Sequence, residues 1–237
     1  MKIITWNCNM AFRKKATFIL AEKPDILIIP ECEHPDKLNF NQDGLAPSDY
    51  VWYGTNSNKG LGVFSYGDYK LELLEIHNPE IKTVLPLKVT GGKVDFTLFA
   101  IWANNPQDKQ GAYIEQVWKA INYYEKLILN ERTILVGDFN SNKIWDKKHR
   151  LANHSSVVSE LERKEIFSTY HKFFNQEQGT EKHPTLFMYR HLDKSYHIDY
   201  CFVSIDLLSK MESVKIGDYN EWKSLSDHSP VIVTFRI

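Results

Sequence analysis

Apolar residues fall in short runs along the chain, most of them bounded by Gly, Pro, Asn or Asp. Runs of that kind predict strands. Lys2–Trp6 is the first. Asp25–Ile29 is nearly continuous, as expected of a strand buried on both faces. Gly60–Ser65, Lys70–Ile76, Lys82–Val89 and Val94–Trp102 follow, the last two joined by the turn signal Thr90-Gly91-Gly92. Arg132–Val136, Thr185–Tyr189, His197–Val203, Val214–Ile216 and Pro230–Arg236 complete the strands. Helical spacing appears in three places. Ala11–Glu22 carries Phe12, Ala16, Ile19 and Leu20 and is closed by Pro24. Gly111–Leu129 carries Ile114, Val117, Trp118, Ile121, Tyr124 and Ile128 on one face. His149–Lys164 is the third. Many strands and about three helices, without repeat or linker, predict one domain over 1–237, a layered α/β sandwich.

Charge changes little in this picture. Lys plus Arg is 29 and Asp plus Glu is 30, a net charge of −1. The global balance gives no support to nucleic-acid binding, so an anionic substrate must meet a local patch or a metal. Three cysteines (Cys8, Cys32, Cys201) are not a disulfide framework and fit a reducing compartment. No leader-like segment precedes the first strand, and no apolar run nears the ~20 residues that span a bilayer. The expectation is a cytoplasmic protein without a membrane or an obligate protein partner.

Candidate chemistry lies where the apolar runs stop. Asn7 and Asn9 follow the first strand, Glu31 the second, and Asn104 and Asn105 the middle one. Leu135-Val136-Gly137 leads into Asp138 and Asn140. Asp199 sits inside the apolar stretch His197–Val203, and Asp227-His228 precedes the last strand. Asn or Asp at a strand end is equally a turn cap. Asp199 is harder to read that way, because a buried carboxylate needs a partner.

Taken together, Trp6-Asn7, Glu31, Gly-Asp-Phe-Asn (137–140), Ile-Asp-Tyr (198–200) and Ser-Asp-His (226–228) form an ordered set. It resembles the endonuclease/exonuclease/phosphatase superfamily of metal-dependent phosphoesterases. That group includes exonuclease III-like and abasic-site DNA endonucleases, DNase I, inositol polyphosphate phosphatases and neutral sphingomyelinases. The resemblance runs from Trp6 to Pro230. No single tetrapeptide is specific; five in order are.

The resemblance implies a four-layered αββα sandwich, DNase I-like, of two mostly antiparallel sheets flanked by helices. It implies Mg²⁺, with Mn²⁺ as substitute, on Glu31, with Asn7 and Asp227 at the metal side. Hard oxygen donors suit those ions. Asp138 matches the aspartate that orients or deprotonates the attacking water. Asn140 matches the amide on the phosphate, and His228 the histidine on the scissile phosphate, held by Asp199. Asn105, Trp102 and His197 fall at substrate-side positions. Two of these depart from the pattern. Trp102 stands where many members have Tyr or His, and an indole offers one donor but no acid or phenolate. It also reads as a packing residue. His197 replaces a frequent Arg.

The implied function is a phosphodiesterase, most simply a nuclease on DNA or RNA. The alternative is hydrolysis of small or lipid phosphates such as an inositol phosphate. Lys143–Arg150, with four Lys/Arg against one Asp plus His149 and Trp145, suits a phosphate backbone and a stacked base, and suits a solvated helix start as well. Phe187, Tyr189 and Tyr196 are pocket or core. Retention of all the acidic, amide and His residues argues against a degenerate binding module.

Overall fold

The computed structural model describes residues 1–40, 46–105, 111–130 and 132–237. In chain order its strands are β1 (Lys2–Thr5), β2 (Ile26–Cys32), β3 (Asp49–Asn56), β4 (Lys59–Ser65), β5 (Lys70–Leu73), β6 (Val84–Thr90) and β7 (Phe96–Trp102), then β8 (Thr133–Asp138), β9 (Ile166–Ser168), β10 (Leu186–Phe187), β11 (Ser195–Tyr196), β12 (Asp199–Ser204), β13 (Met211–Ile216) and β14 (Val231–Phe235). The helices are α1 (Ala16–Leu20), α2 (Ile114–Tyr123), α3 (Glu125–Asn130), α4 (His154–Arg163), α5 (Thr169–Phe174), α6 (Ile205–Leu208) and α7 (Tyr219–Trp222).

Two six-stranded sheets form, in the orders β13-β14-β1-β2-β4-β3 and β5-β6-β7-β8-β12-β9. Each has one parallel pair, β1–β2 and β7–β8, among antiparallel ones. Strand alternation then sorts the side chains into layers. In β8, Ile134 and Val136 face the inner core, where Ile3, Ile28 and Val63 of the first sheet meet Leu87 and Leu98 of the second. Leu135 faces the other way, with Phe99 and Phe202, onto Val117 and Ile121 of α2 and Val157 and Leu161 of α4. The first sheet turns Ile4, Leu27 and Phe64 to Phe12, Ile19 and Trp222. The order is helix, sheet, sheet, helix, as expected. Burying each large side chain here contributes about 1.5–3 kcal/mol.

Several boundaries differ from the sequence reading. The strand β3 is added; every position in it is half-buried or exposed, so it lacks the alternation that marks a strand. The helix expected over Ala11–Glu22 is a 3-10 turn (Phe12–Lys14) and the five-residue α1. The two pieces divide at Lys15, whose φ of −129° and ψ of −12° leave helical geometry, and the chain enters them through Asn9, Met10 and Ala11, all with left-handed φ. The Lys15 ammonium reaches back to the carbonyls of Cys8 (2.6 Å), Asn9 (3.3 Å) and Met10 (3.0 Å). The helix expected over Gly111–Leu129 divides at the buried Tyr124, whose hydroxyl accepts the Asn78 N–H at 2.9 Å. More helices form than expected, and α1, α3, α5, α6 and α7 are single turns of four to six residues. Cys8, Cys32 and Cys201 are unpaired and buried. No described helix is long and apolar enough to cross a membrane.

Candidate active site

Three neighbouring strands of the second sheet end side by side. Trp102 of β7 pairs with Asp138 of β8, and Asp138 pairs with Asp199 of β12. Gly137 makes the approach possible. Its φ is +144°, and a Cβ there would lie 1.9 Å from the Ile101 carbonyl oxygen, a backbone atom that cannot rotate away. Asp138 is fully buried. Its carboxylate accepts the Asn7 side-chain amide at 3.0 Å and the Asn140 N–H at 2.8 Å. Asn140 turns the chain with φ +48°, a conformation Asn tolerates better than most residues.

The first sheet brings the rest. After β1, the Trp6 indole donates to the His228 carbonyl at 2.9 Å. The Ser226 hydroxyl donates to the Asn7 carbonyl (2.8 Å) and accepts the His228 N–H (3.0 Å). These bonds lock the segment before β14 against the end of β1. They set His228 Nδ1 at 2.9 Å from Asp199 Oδ2. Thr185 Oγ1 accepts the N–H groups of Ile198 (2.9 Å) and Asp199 (3.0 Å), fixing the carboxylate from behind. The Asn9 amide donates to Asp227 Oδ1 at 2.9 Å. At the end of β2 the register shifts between Pro30 and Cys32, and Glu31 has φ +62°. A bulge of this kind re-aims a side chain at a cost of roughly 1–2 kcal/mol. Glu31 Oε2 lies 3.2 Å from the Lys59 ammonium. Glu31, Trp102, Asn104, Asn105 and Asn140 line one open groove of about 620 Å³.

The chain and its fold have known relatives. The model of the Endonuclease/Exonuclease/phosphatase family matches residues 4–228. The chain belongs to that family. Its members are hydrolases of phosphoester bonds, and so is this chain. Among solved structures, a 3′-5′ exonuclease from Neisseria meningitidis is similar over 100% of both chains, with TM-score 0.74 and 20% identity. A Neisseria 3′ phosphatase bound to a product DNA hairpin gives the same values, 0.74 and 20% over 100% of both chains. An AP endonuclease from Archaeoglobus fulgidus follows at 0.72 and 16%, again over 100% of each chain. No curated protein matches the chain.

Within the family frame, the donors divide into two groups. Asp138, Asp199 and His228 lie close enough together to hold one metal ion among the described residues. All three are buried, and His228 is already hydrogen-bonded to Asp199. That arrangement favours a proton-carrying imidazole between carboxylates over a ligated ion. Glu31 and Asp227 are only half-buried and offer hard carboxylate oxygens, and Asp227 holds the amide of Asn9, whose N–H bonds Asn7. A small divalent cation that keeps several waters fits that second set. The Asn7 amide is engaged at both ends, accepting the Asn9 N–H (3.0 Å) and donating to Asp138.

Burial and the Asp199 charge raise the Asp138 carboxyl to about 7, against the His228 charge and the Asn7 hydrogen bond. Burial pulls the His228 imidazole down, but the Asp199 carboxylate, by charge and hydrogen bond, carries it up to about 10. The raised value stabilises the fold fully below the unfolded-state value of roughly 6.5, and this contribution is lost as pH rises through about 10. In an NMR titration the His228 ring is expected to stay protonated through neutral pH. In Asp199→Asn it is expected to titrate at distinctly lower pH; an unchanged titration would refute the pairing.

His197 does not join the site, contrary to the expected substrate contact. It is buried against Tyr170, with ring centroids 4.2 Å apart, and its Nδ1 lies 2.7 Å from the His183 carbonyl oxygen. Its Nε2 has no partner. Burial lowers its pKa to about 4. The unfolded chain takes up this proton near pH 6.5 and the folded one only near 4, so stability is lost as pH falls across that window. The loss approaches about 3 kcal/mol. Melting temperatures between pH 6.5 and 4 are expected to fall more shallowly in His197→Phe than in the wild type.

Sequence reading passed over Lys59, Thr185 and Ser226 as site residues. Ser226 stood inside a quoted motif; the other two carry no local mark, because each meets its partner across the fold.

Proposed function

We propose that the chain is a Mg²⁺-dependent phosphodiesterase that cleaves nucleic acid. The observation that carries this reading is the buried set Asp138, Asp199 and His228, joined through Asn140 and Trp102 to an open groove that reaches Glu31. Asp138 aims the attacking water and takes its proton, a role suited to a carboxyl raised to about 7. His228, kept charged by Asp199, donates to a non-bridging phosphate oxygen. Asn140 supplies an amide donor on the same phosphate. Glu31 and Asp227, with Asn7 alongside, would hold a divalent ion, which when bound would supply further positive charge against the phosphate oxygens.

The groove shape supports a polymeric substrate. It is open and carries Lys59, Lys82, Tyr53, Trp102 and Tyr113 against one carboxylate, Glu31, among the described residues. A second cleft of about 170 Å³ adjoins it, sharing Tyr113 and Asn140 and lined by Trp145, Lys147 and Arg150. The basic stretch after the Asp138 strand therefore lies beside the site. Arg150 there is paired with Glu115, and Trp145 packs at a tilt against Tyr196, with centroids 4.8 Å apart and planes at 53°. The Neisseria relative described with a product DNA hairpin fits the same substrate class.

The test is an activity panel with Mg²⁺: supercoiled plasmid, abasic-site duplex, single-stranded RNA, inositol phosphates and bis-p-nitrophenyl phosphate. Cleavage of a nucleic acid that is lost with EDTA is the expected result. Turnover of inositol phosphates alone would replace the substrate class, and turnover that persists in EDTA would remove the metal.

A further inference from the structure

The groove holds a cation that none of the motifs accounts for. Lys59 opens β4, at the hairpin where Asn56 of β3 pairs with it. Its ammonium lies 3.2 Å from Glu31 Oε2 and 5.4 Å from the centre of the Trp102 ring. Its side chain is 38% exposed, so it reaches solvent in the groove and is not sealed in an ion pair. Lys59, Glu31, Trp102, Asn104 and Asn140 line the same groove.

Trp102 is the position where this chain departs from the Tyr or His of many family members. An indole cannot act as an acid or a phenolate. Its face does attract an ammonium. The substitution that removes one polar group thus seats another. Trp102 is partly buried and packed on the inner core, so its ring is a fixed platform. It also neighbours Asp138 in the sheet.

We propose that Lys59, seated on the Trp102 face, is the groove's phosphate-binding cation and holds an oxygen of the substrate phosphate; this rests on the phosphodiesterase reading. An ammonium has three donors. Glu31 takes one, which leaves two for phosphate oxygens. Glu31 in turn has two oxygens and several lone pairs, so one ammonium on Oε2 leaves the carboxylate able to take a hard cation as well. Lys59 and a metal therefore share Glu31. The ammonium is a compact point charge that makes no bidentate demand, so diester and monoester phosphates both fit it. Asn104 and Asn140 offer neutral amides to the remaining oxygens.

The test separates binding from turnover. Inorganic phosphate is titrated calorimetrically into the wild type, Lys59→Met, Lys59→Arg, Trp102→Ala and Trp102→Phe in EDTA. Hydrolysis of bis-p-nitrophenyl phosphate is followed with Mg²⁺. Lys59→Met is expected to weaken phosphate binding and raise KM by about tenfold to a hundredfold, with kcat within a few fold. Lys59→Arg and Trp102→Phe keep most of the affinity, because the charge and the aromatic face survive; Trp102→Ala loses part of it. Wild-type phosphate affinity in Lys59→Met overturns the assignment, even where diester hydrolysis by the wild type is intact. A wild type that hydrolyses no diester, but loses phosphate affinity on Lys59→Met, overturns the phosphodiesterase reading and leaves Lys59 as an anion site.

Discussion

Asp138→Asn is expected to lower kcat by about 10²–10⁴-fold while KM stays within a few fold. The amide keeps the size and one acceptor of the carboxylate and loses the base. Two effects on stability oppose each other. The carboxylate takes a donor on each oxygen, from Asn7 and from Asn140. An amide faces one of them with its own NH₂, which costs about 1–3 kcal/mol. Against this, the amide ends the burial of a charge beside Asp199, the same two causes that lift Asp138 to about 7. The expected melting temperature is therefore near the wild type, and the activity loss is chemical. The pH profile provides an independent check. A base must be ionised, so kcat/KM rises with pH and levels off above about 7, shifted lower by a bound divalent ion. The residual rate of Asp138→Asn should show no such limb. A variant with wild-type kcat, or one that keeps the limb, would remove Asp138 from the base role.

Gly137→Ala is expected to destabilise the fold by more than about 4 kcal/mol, a large fraction of the total stability of a typical domain. The added Cβ would meet three backbone atoms of Ile101, at 1.9, 2.7 and 2.9 Å. Relief requires β7 and β8 to part at the row that carries Asp138. The φ of +144° adds strain that no L side chain escapes. Gly179→Ala is the matched control. Its φ is +86°, but the nearest heavy atom would be Lys143 Cβ at 3.4 Å. Only backbone strain applies there, about 1 kcal/mol or somewhat more. Urea midpoints of the two variants should differ accordingly. Equal midpoints would show that the approach of β7 to β8 is not what fixes glycine at 137.

What could be read in advance follows from how local each cause is. The strands β2 and β8 were legible because Ile26–Ile29 and Ile134–Val136 are continuous apolar runs. The half-exposed β3 leaves no such trace. The break of the long helix at Tyr124 depends on a hydrogen bond to Asn78, 46 residues away. The site divides in the same way. Asp138 and His228 stood beside marked strand ends and Asp199 inside an apolar run, and the three do converge. His197 sat next to a motif, yet its side chain went to Tyr170 and the His183 carbonyl. Lys59 finds Glu31 and Trp102 only once β2, β4 and β7 are folded.

The row Trp102-Asp138-Asp199 has a consequence for how such a site changes over time. The spacing of its two carboxylates is set by strand pairing, and pairing admits only whole steps: a one-residue slip moves a side chain by about 3.4 Å and turns it to the opposite face. The reacting groups therefore have no neighbouring geometry to drift into by small adjustments. On the proposed reading, variation would act first on the loops and groove walls around this centre, so related chains could differ in substrate while keeping the same chemical step.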